Sequence, residues 1–157
     1  MASGSRDLTI KIWNLITGIC EKTFEEHDWF VSCIAYSPCG KFLASGSGDK
    51  SNKICDLNSG ISKRIFEGHS DIVWTIAYSP CGKKLASGSG DQTIKIWDLD
   101  SENCEKVFEG HSDIVTSIAY SPCGQKLASG SRDLTLKIWD LDSCQCDKIF
   151  KEHTSSI

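Results

Sequence analysis

The tetrapeptide Ala-Ser-Gly-Ser begins at Ala2, Ala44, Ala86 and Ala128, 42 residues apart each time. A fixed period of that length is one supersecondary unit copied along the chain, and such units bury a core only by stacking on their neighbours. The sequence is therefore read as one array over 1–157, divided into units 1–42, 43–84, 85–126 and a shorter 127–157. Units two and three agree at 28 of 42 positions, the mark of a duplication with little later divergence.

Within a unit the pattern is that of four short strands, a to d. Val73 to Ser79 is rich in β-branched and aromatic residues and runs into the turn cluster Ser79-Pro80-Cys81-Gly82. Lys84 to Ser89 follows, then a tight turn at Gly90-Asp91-Gln92, then Thr93 to Leu99, and after a polar loop Cys104 to Phe108. No stretch sustains a helical period, so the fold class is all-β.

Four strands per unit, with Gly68-His69 and Gly110-His111 before strand a and Trp97-Asp98 and Trp139-Asp140 in strand c, resemble the WD40-repeat family. Leu85 to Asp91 matches that family's strand-b segment and its turn aspartate, and the resemblance runs along essentially the whole chain. It implies a WD40-type β-propeller fragment with three complete four-stranded blades plus one partial blade, arranged as an open arc. Strand a starts at Val31, Val73 and Val115 in the complete blades, and the first unit holds only b, c and d. The array begins in strand b and reaches Ser155-Ser156-Ile157 where a further strand a is due, so a longer parent protein is expected, or several chains completing a ring. The matches are uneven. The first unit has Trp13-Asn14 and Glu26-His27, and the last has Glu152-His153. The second has Cys55 in place of tryptophan and Asn52 in place of the residue equivalent to Ile10, Ile94 and Leu136, so its strand c should pack less well.

The resemblance also implies a hydrogen-bonded network in each blade. Carried over, it comprises His69, Ser87 or Ser89, Asp91 and Trp97, and in the next blade His111, Ser129 or Ser131, Asp133 and Trp139. Two residues apart on a strand, the paired serines share one face, which leaves the choice open. A buried indole N–H needs an acceptor, and imidazole, hydroxyl and carboxylate can supply a closed chain. A serine, histidine and aspartate also evoke a hydrolase, but a catalytic triad needs one exposed nucleophile with an oxyanion hole, and nothing calls for copying it in every repeat. No catalytic residue, cofactor or metal is expected. Cys39, Cys81 and Cys123 share one repeat position, and Cys20, Cys104 and Cys146 another, so they should point apart around a propeller axis as free thiols. Cys144 and Cys146 alone are too few for zinc.

A net charge of −4 with no basic run argues against nucleic acid, whose phosphates demand clustered Lys and Arg. No apolar stretch is long enough to span a bilayer, and the first residues lack the features of a signal peptide, so an intracellular, cytoplasmic protein without membrane contact is expected. Family geometry puts the b–c turns and d–a linkers on one rim, where the units diverge. Arg6 and Arg132 stand where Gly48 and Gly90 do, Lys50 and Gln92 replace leucines, Trp29 replaces Asp71 and Asp113, and Trp74 replaces Ser32 and Thr116. Arg6, Trp29, Lys50, Trp74, Gln92 and Arg132 are thus candidates for binding a protein or peptide. The expected function is a non-catalytic scaffold or adaptor, or else a targeting or regulatory segment of a larger enzyme or signalling protein, with self-association through exposed blade edges as a further expectation.

Overall fold

A computed structural model describes residues 1–151 and 153–155. Glu152 of the last Glu-His pair, and Ser156 and Ile157 at the expected start of another strand a, lie outside the described residues. The described residues form fifteen β-strands and no helix. The first sheet has three strands, β1 (Ala2–Gly4), β2 (Ile10–Trp13) and β3 (Cys20–Phe24). Three four-stranded sheets follow. The second comprises β4 (Val31–Tyr36), β5 (Phe42–Ser47), β6 (Asn52–Asp56) and β7 (Ser62–Phe66). The third comprises β8 (Val73–Tyr78), β9 (Lys84–Ser89), β10 (Ile94–Asp98) and β11 (Cys104–Phe108). The fourth comprises β12 (Val115–Tyr120), β13 (Lys126–Ser131), β14 (Leu136–Asp140) and β15 (Cys146–Phe150). Every pairing is antiparallel and sequential, so each sheet is an open meander, and together they form a WD40-type propeller fragment of three full blades and a partial one.

Side chains at the strand ends set the boundaries. Ser79 belongs to the a–b turn, not to the strand. Its hydroxyl accepts Lys84 N–H at 3.0 Å and its own N–H reaches Lys84 O at 2.9 Å, so β8 stops at Tyr78. Thr93 likewise belongs to the b–c turn, because its N–H and hydroxyl both donate to Asp91 Oδ1, at 3.0 and 2.7 Å. Leu99 falls outside β10, and the c–d loop is held by Asp98 Oδ1, which accepts the N–H groups of Asp100 and Ser101. Such carboxylate-capped turns satisfy backbone donors that the ladder cannot.

The core lies between blades rather than within them. One cluster joins Ala44, Ile54 and Phe66 of the second blade to Val73, Leu85 and Trp97 of the third, and the next joins Ile94, Ile96 and Phe108 to Val115, Leu127 and Trp139. Blades pack tightly at the repeated glycine of strand b. A Cβ on Gly46 would lie 2.6 Å from Val73 Cγ1, and one on Gly88 would lie 2.6 Å from Val115 Cγ1. Only a residue without a side chain admits the next strand a there. The second blade carries a defect in this core. Asn52 is fully buried at the position of Ile94, yet neither its amide nitrogen nor its amide oxygen has a hydrogen-bond partner. Cys55 beside it is also fully buried, and burial pushes its thiol up to about 12.

Candidate functional site

Each residue of the repeated tetrapeptide has a separate role at the rim. Ala86 is core, Gly88 admits the next blade, and the two serines divide the hydrogen bonding. Ser87, fully buried, accepts Trp97 Nε1–H at 2.8 Å and lies 2.7 Å from His69 Nε2. His69 Nδ1 lies 2.8 Å from Asp91 Oδ2. Ser129, Trp139, His111 and Asp133 repeat these distances within 0.1 Å in the fourth blade. Neutral imidazole closes the chain: indole N–H to serine oxygen, serine O–H to Nε2, Nδ1–H to carboxylate. Ser89 and Ser131 do other work. Their hydroxyls donate to Asp71 O and Asp113 O, and accept Asp91 N–H and Asp133 N–H, clamping the d–a linker to the b–c turn.

Sequence reasoning missed Thr93 and Thr135, whose hydroxyls bind Asp91 Oδ1 and Asp133 Oδ1. The signal was available, since Thr9, Ser51, Thr93 and Thr135 are one repeat position, always a hydroxyl. The second blade keeps His27, Ser45 and Asp49 but has cysteine at the tryptophan position, and the first keeps Ser3 and Trp13, joined at 2.8 Å, and the turn aspartate Asp7, which accepts the Thr9 hydroxyl. Burial lowers the His27 and His111 imidazoles against the pull of their aspartates. Burial alone would raise Asp49, but hydrogen bonds from Ser51 and His27 outweigh it and leave the carboxyl at about 2. Asp91 and Asp133 are lowered in the same way.

The other candidate residues lie along the same rim, and part of the set is drawn together. The Arg6 guanidinium stands 5.9 Å over the Phe30 ring. Phe30 meets Trp29 edge-on at 6.2 Å and Trp74 at 6.3 Å, and the Arg132 guanidinium stands 5.9 Å over Trp74. Arg6 of the first blade, Phe30 of the linker into the second, Trp74 of the third and Arg132 of the fourth thus form one row, Arg6–Phe30–Trp74–Arg132, with Trp29 projecting beside it at 60% exposure. The row leaves room for nothing but glycine at residue 48, where a Cβ would come within 2.9 Å of Phe30 and 3.1 Å of Trp29. Ser47 fixes the linker by donating to the carbonyls of Trp29 and Phe30. Phe30 was missed in the sequence, though it departs from Ile72 and Ile114 just as Trp29 departs from its aspartates. Lys50 and Gln92 are not part of the row. They are exposed and occupy the left-handed position of their b–c turns, at φ 72° and 70°.

All nine cysteines are free. Among the described residues, no group of three or more His, Cys, Asp or Glu is placed to hold a metal, and no helix is long and apolar enough to cross a membrane.

The model of the family described as "WD domain, G-beta repeat" matches residues 18–56, 60–98 and 102–140, most of the chain. Among curated proteins the chain is similar to the lissencephaly-1 homolog of Dictyostelium discoideum, 56% identical over 43 residues. It is likewise similar to nuclear distribution protein PAC1 of Mycosarcoma maydis, 54% identical over 43 residues, and to the ribosome biogenesis protein BOP1 homolog of Drosophila virilis, 51% identical over 41. Each match covers about a quarter of this chain, close to one repeat, and spans 10%, 10% and 5% of the respective relative.

Proposed function

The chain belongs to the WD40-repeat family, and from that premise we propose that it is a non-catalytic interaction module, intracellular and cytoplasmic, which receives a protein or peptide on the rim carrying Arg6, Trp29, Phe30, Trp74 and Arg132. The observation that carries this reading is the row itself. Aromatic rings and arginines are the side chains that dominate binding energy at interfaces, and here they are contiguous, partly exposed and drawn from more than one repeat. Lys50 and Gln92, at the tips of adjacent turns, would edge the contact.

Burial supports the non-catalytic half of the proposal. The Ser87, His69 and Asp91 distances are those of a catalytic triad, yet Ser87 is fully buried and its oxygen already accepts the Trp97 indole. A nucleophile must reach a substrate carbonyl, and this one cannot. The same module can stand alone or serve as a targeting or regulatory segment of a longer protein, and the exposed strand β15 offers an edge for self-association.

Quantitative affinity capture tests the proposal. The Trp29→Ala/Trp74→Ala double variant should lose the wild-type set of bound proteins, while Ile16→Lys, in the exposed c–d loop of the first blade, should keep it. An unchanged set in the double variant would overturn the assignment of this face.

A further inference from the structure

We infer that the cleft between the second and third blades, at the rim opposite the aromatic row, is a separate binding site that takes a peptide segment presenting an apolar side chain next to a carboxylate. Equivalent clefts flank it, and comparison among them isolates what is special here.

In the cleft between blades one and two, the Lys22 ammonium reaches across to the carbonyls of Leu57 and Asn58. Between blades three and four, Lys106 reaches the Leu141 carbonyl in the same manner. The equivalent residue in the middle cleft is Arg64, which turns aside to pair with Glu102 at 3.0 Å, and among the described residues no side chain caps the Leu99 carbonyl. A second departure lies beside the first. Blades three and four link strands b and d by Lys84–Glu105 and Lys126–Asp147 ion pairs. Blade two has Phe42 and Lys63 at those positions, with the Lys63 ammonium 5.4 Å over the Phe42 ring. An acid has become a base, and a base has become an aromatic ring.

These three substitutions fall on one cavity of about 620 Å³, against about 430 Å³ for the cleft between blades three and four. That volume is in the range of small-ligand pockets, roughly 300–1,000 Å³. Phe42, Ile54 and Leu99 give it apolar walls. Lys63, Arg64 and Lys83 line it together with Asp100; Lys63 is paired with Asp56 at 2.7 Å and Arg64 with Glu102 at 3.0 Å, and Lys83 has no ion pair among the described residues. Tyr78 lines the cavity, and its hydroxyl is buried and without a hydrogen-bond partner among the described residues. A buried unpaired hydroxyl costs about 1–3 kcal/mol. Tyr120 is unpartnered in the neighbouring cleft too, so the hydroxyl alone does not distinguish the site. The uncapped carbonyl, the added ring and the reversed charge do.

The occupant follows from this complement. The Leu99 carbonyl, which no lysine caps here, can accept a peptide N–H. The ring of Phe42 with Ile54 and Leu99 takes an apolar side chain. Arg64 and Lys83 take the carboxylate beside it, by charge complementarity.

Fluorescence anisotropy on the whole chain tests the site with a labelled nonapeptide whose core is Leu-Phe-Asp-Glu between Gly-Ser flanks, and with its Leu-Phe-Asn-Gln counterpart. The acidic probe should bind at least about tenfold more tightly than the neutral one. Arg64→Lys, which restores the cap, and Phe42→Lys should each weaken it by about tenfold or more, and Trp74→Ala should leave it unchanged. The inference is overturned by equal affinity for the two probes, by binding that survives both cleft variants, by loss in Trp74→Ala instead, or by no binding up to about 1 mM, including with Ile-Leu in place of Leu-Phe.

Discussion

Glu26 stands where the next two blades have glycine because Cys55 stands where they have tryptophan. Gly68 and Gly110 adopt φ of 148° and 141°, and a Cβ on them would lie 3.2 Å from Trp97 Cη2 and 3.3 Å from Trp139 Cη2. With the indole gone, Glu26 keeps an ordinary φ, and its carboxylate accepts Ser62 N–H at 2.9 Å, opposite Cys55 in the strand pairing. The two departures are one event in space, though 29 residues separate them in sequence. Restoring only the tryptophan, Cys55→Trp, should therefore destabilise the chain, while Glu26→Gly/Cys55→Trp should recover or exceed wild-type stability. A double-mutant cycle by urea unfolding should give a coupling of about 1–3 kcal/mol. Additive effects would separate the two residues.

Asn52 calls for a different repair. Two polar atoms are buried there without partners, at a position that is isoleucine or leucine in the other blades. Asn52→Ile should stabilise by about 1–3 kcal/mol, since it removes unpaired groups rather than breaking a bond. Calorimetry on this single variant is enough, and a lower melting temperature would refute the reading.

The network serine should differ in its consequences between blades. Ser87→Ala strips a partner from both the Trp97 indole and His69, whereas Ser45→Ala strips only His27, because blade two has cysteine at the tryptophan position. Each orphaned buried group costs about 1–3 kcal/mol, so Ser87→Ala should cost more than Ser45→Ala by about that amount. Equal losses by urea unfolding would remove the indole from the network.

Stability should fall with acid in two stages. The folded His27 and His111 lie below their unfolded value near 6.5, so between the two values the unfolded chain binds more protons, and stability declines as pH drops below about 6.5. Asp49, at about 2 when folded, and the lowered Asp91 and Asp133 contribute stability that is present above about pH 4 and lost as pH falls through their folded values. The urea midpoint should be lower at pH 5.5 than at pH 7.5, and a midpoint that rises would be inconsistent with neutral buried histidines.

Much of this was legible in the sequence, because a repeat supplies its own internal comparison. The period located every strand, with ends misplaced by a residue at Ser79, Thr93 and Leu99, where side chains rather than pattern decide the turn. The pairing of Glu26 with Cys55 was not legible, since both looked like separate decay until Gly68 was seen against Trp97. Phe30 passed for an ordinary apolar residue, and only the geometry puts it between Arg6 and Trp74. The cleft at Phe42 and Arg64 was hidden for a related reason, as lysine to arginine reads as conservative until the carbonyl it no longer caps is located.

Central to this account is a proposed division of labour: positions shared by the repeats build the fold, and the exposed rim positions where they differ meet partners. Trp97 and Trp74 represent the two kinds. The most direct test is the urea unfolding free energy of Trp97→Ala beside that of Trp74→Ala. The account predicts a loss of about 3–5 kcal/mol for Trp97→Ala, whose ring is buried between blades and bonded to Ser87, and a loss of about 1 kcal/mol or less for Trp74→Ala. Comparable losses, or a loss under about 1 kcal/mol at Trp97, would contradict it.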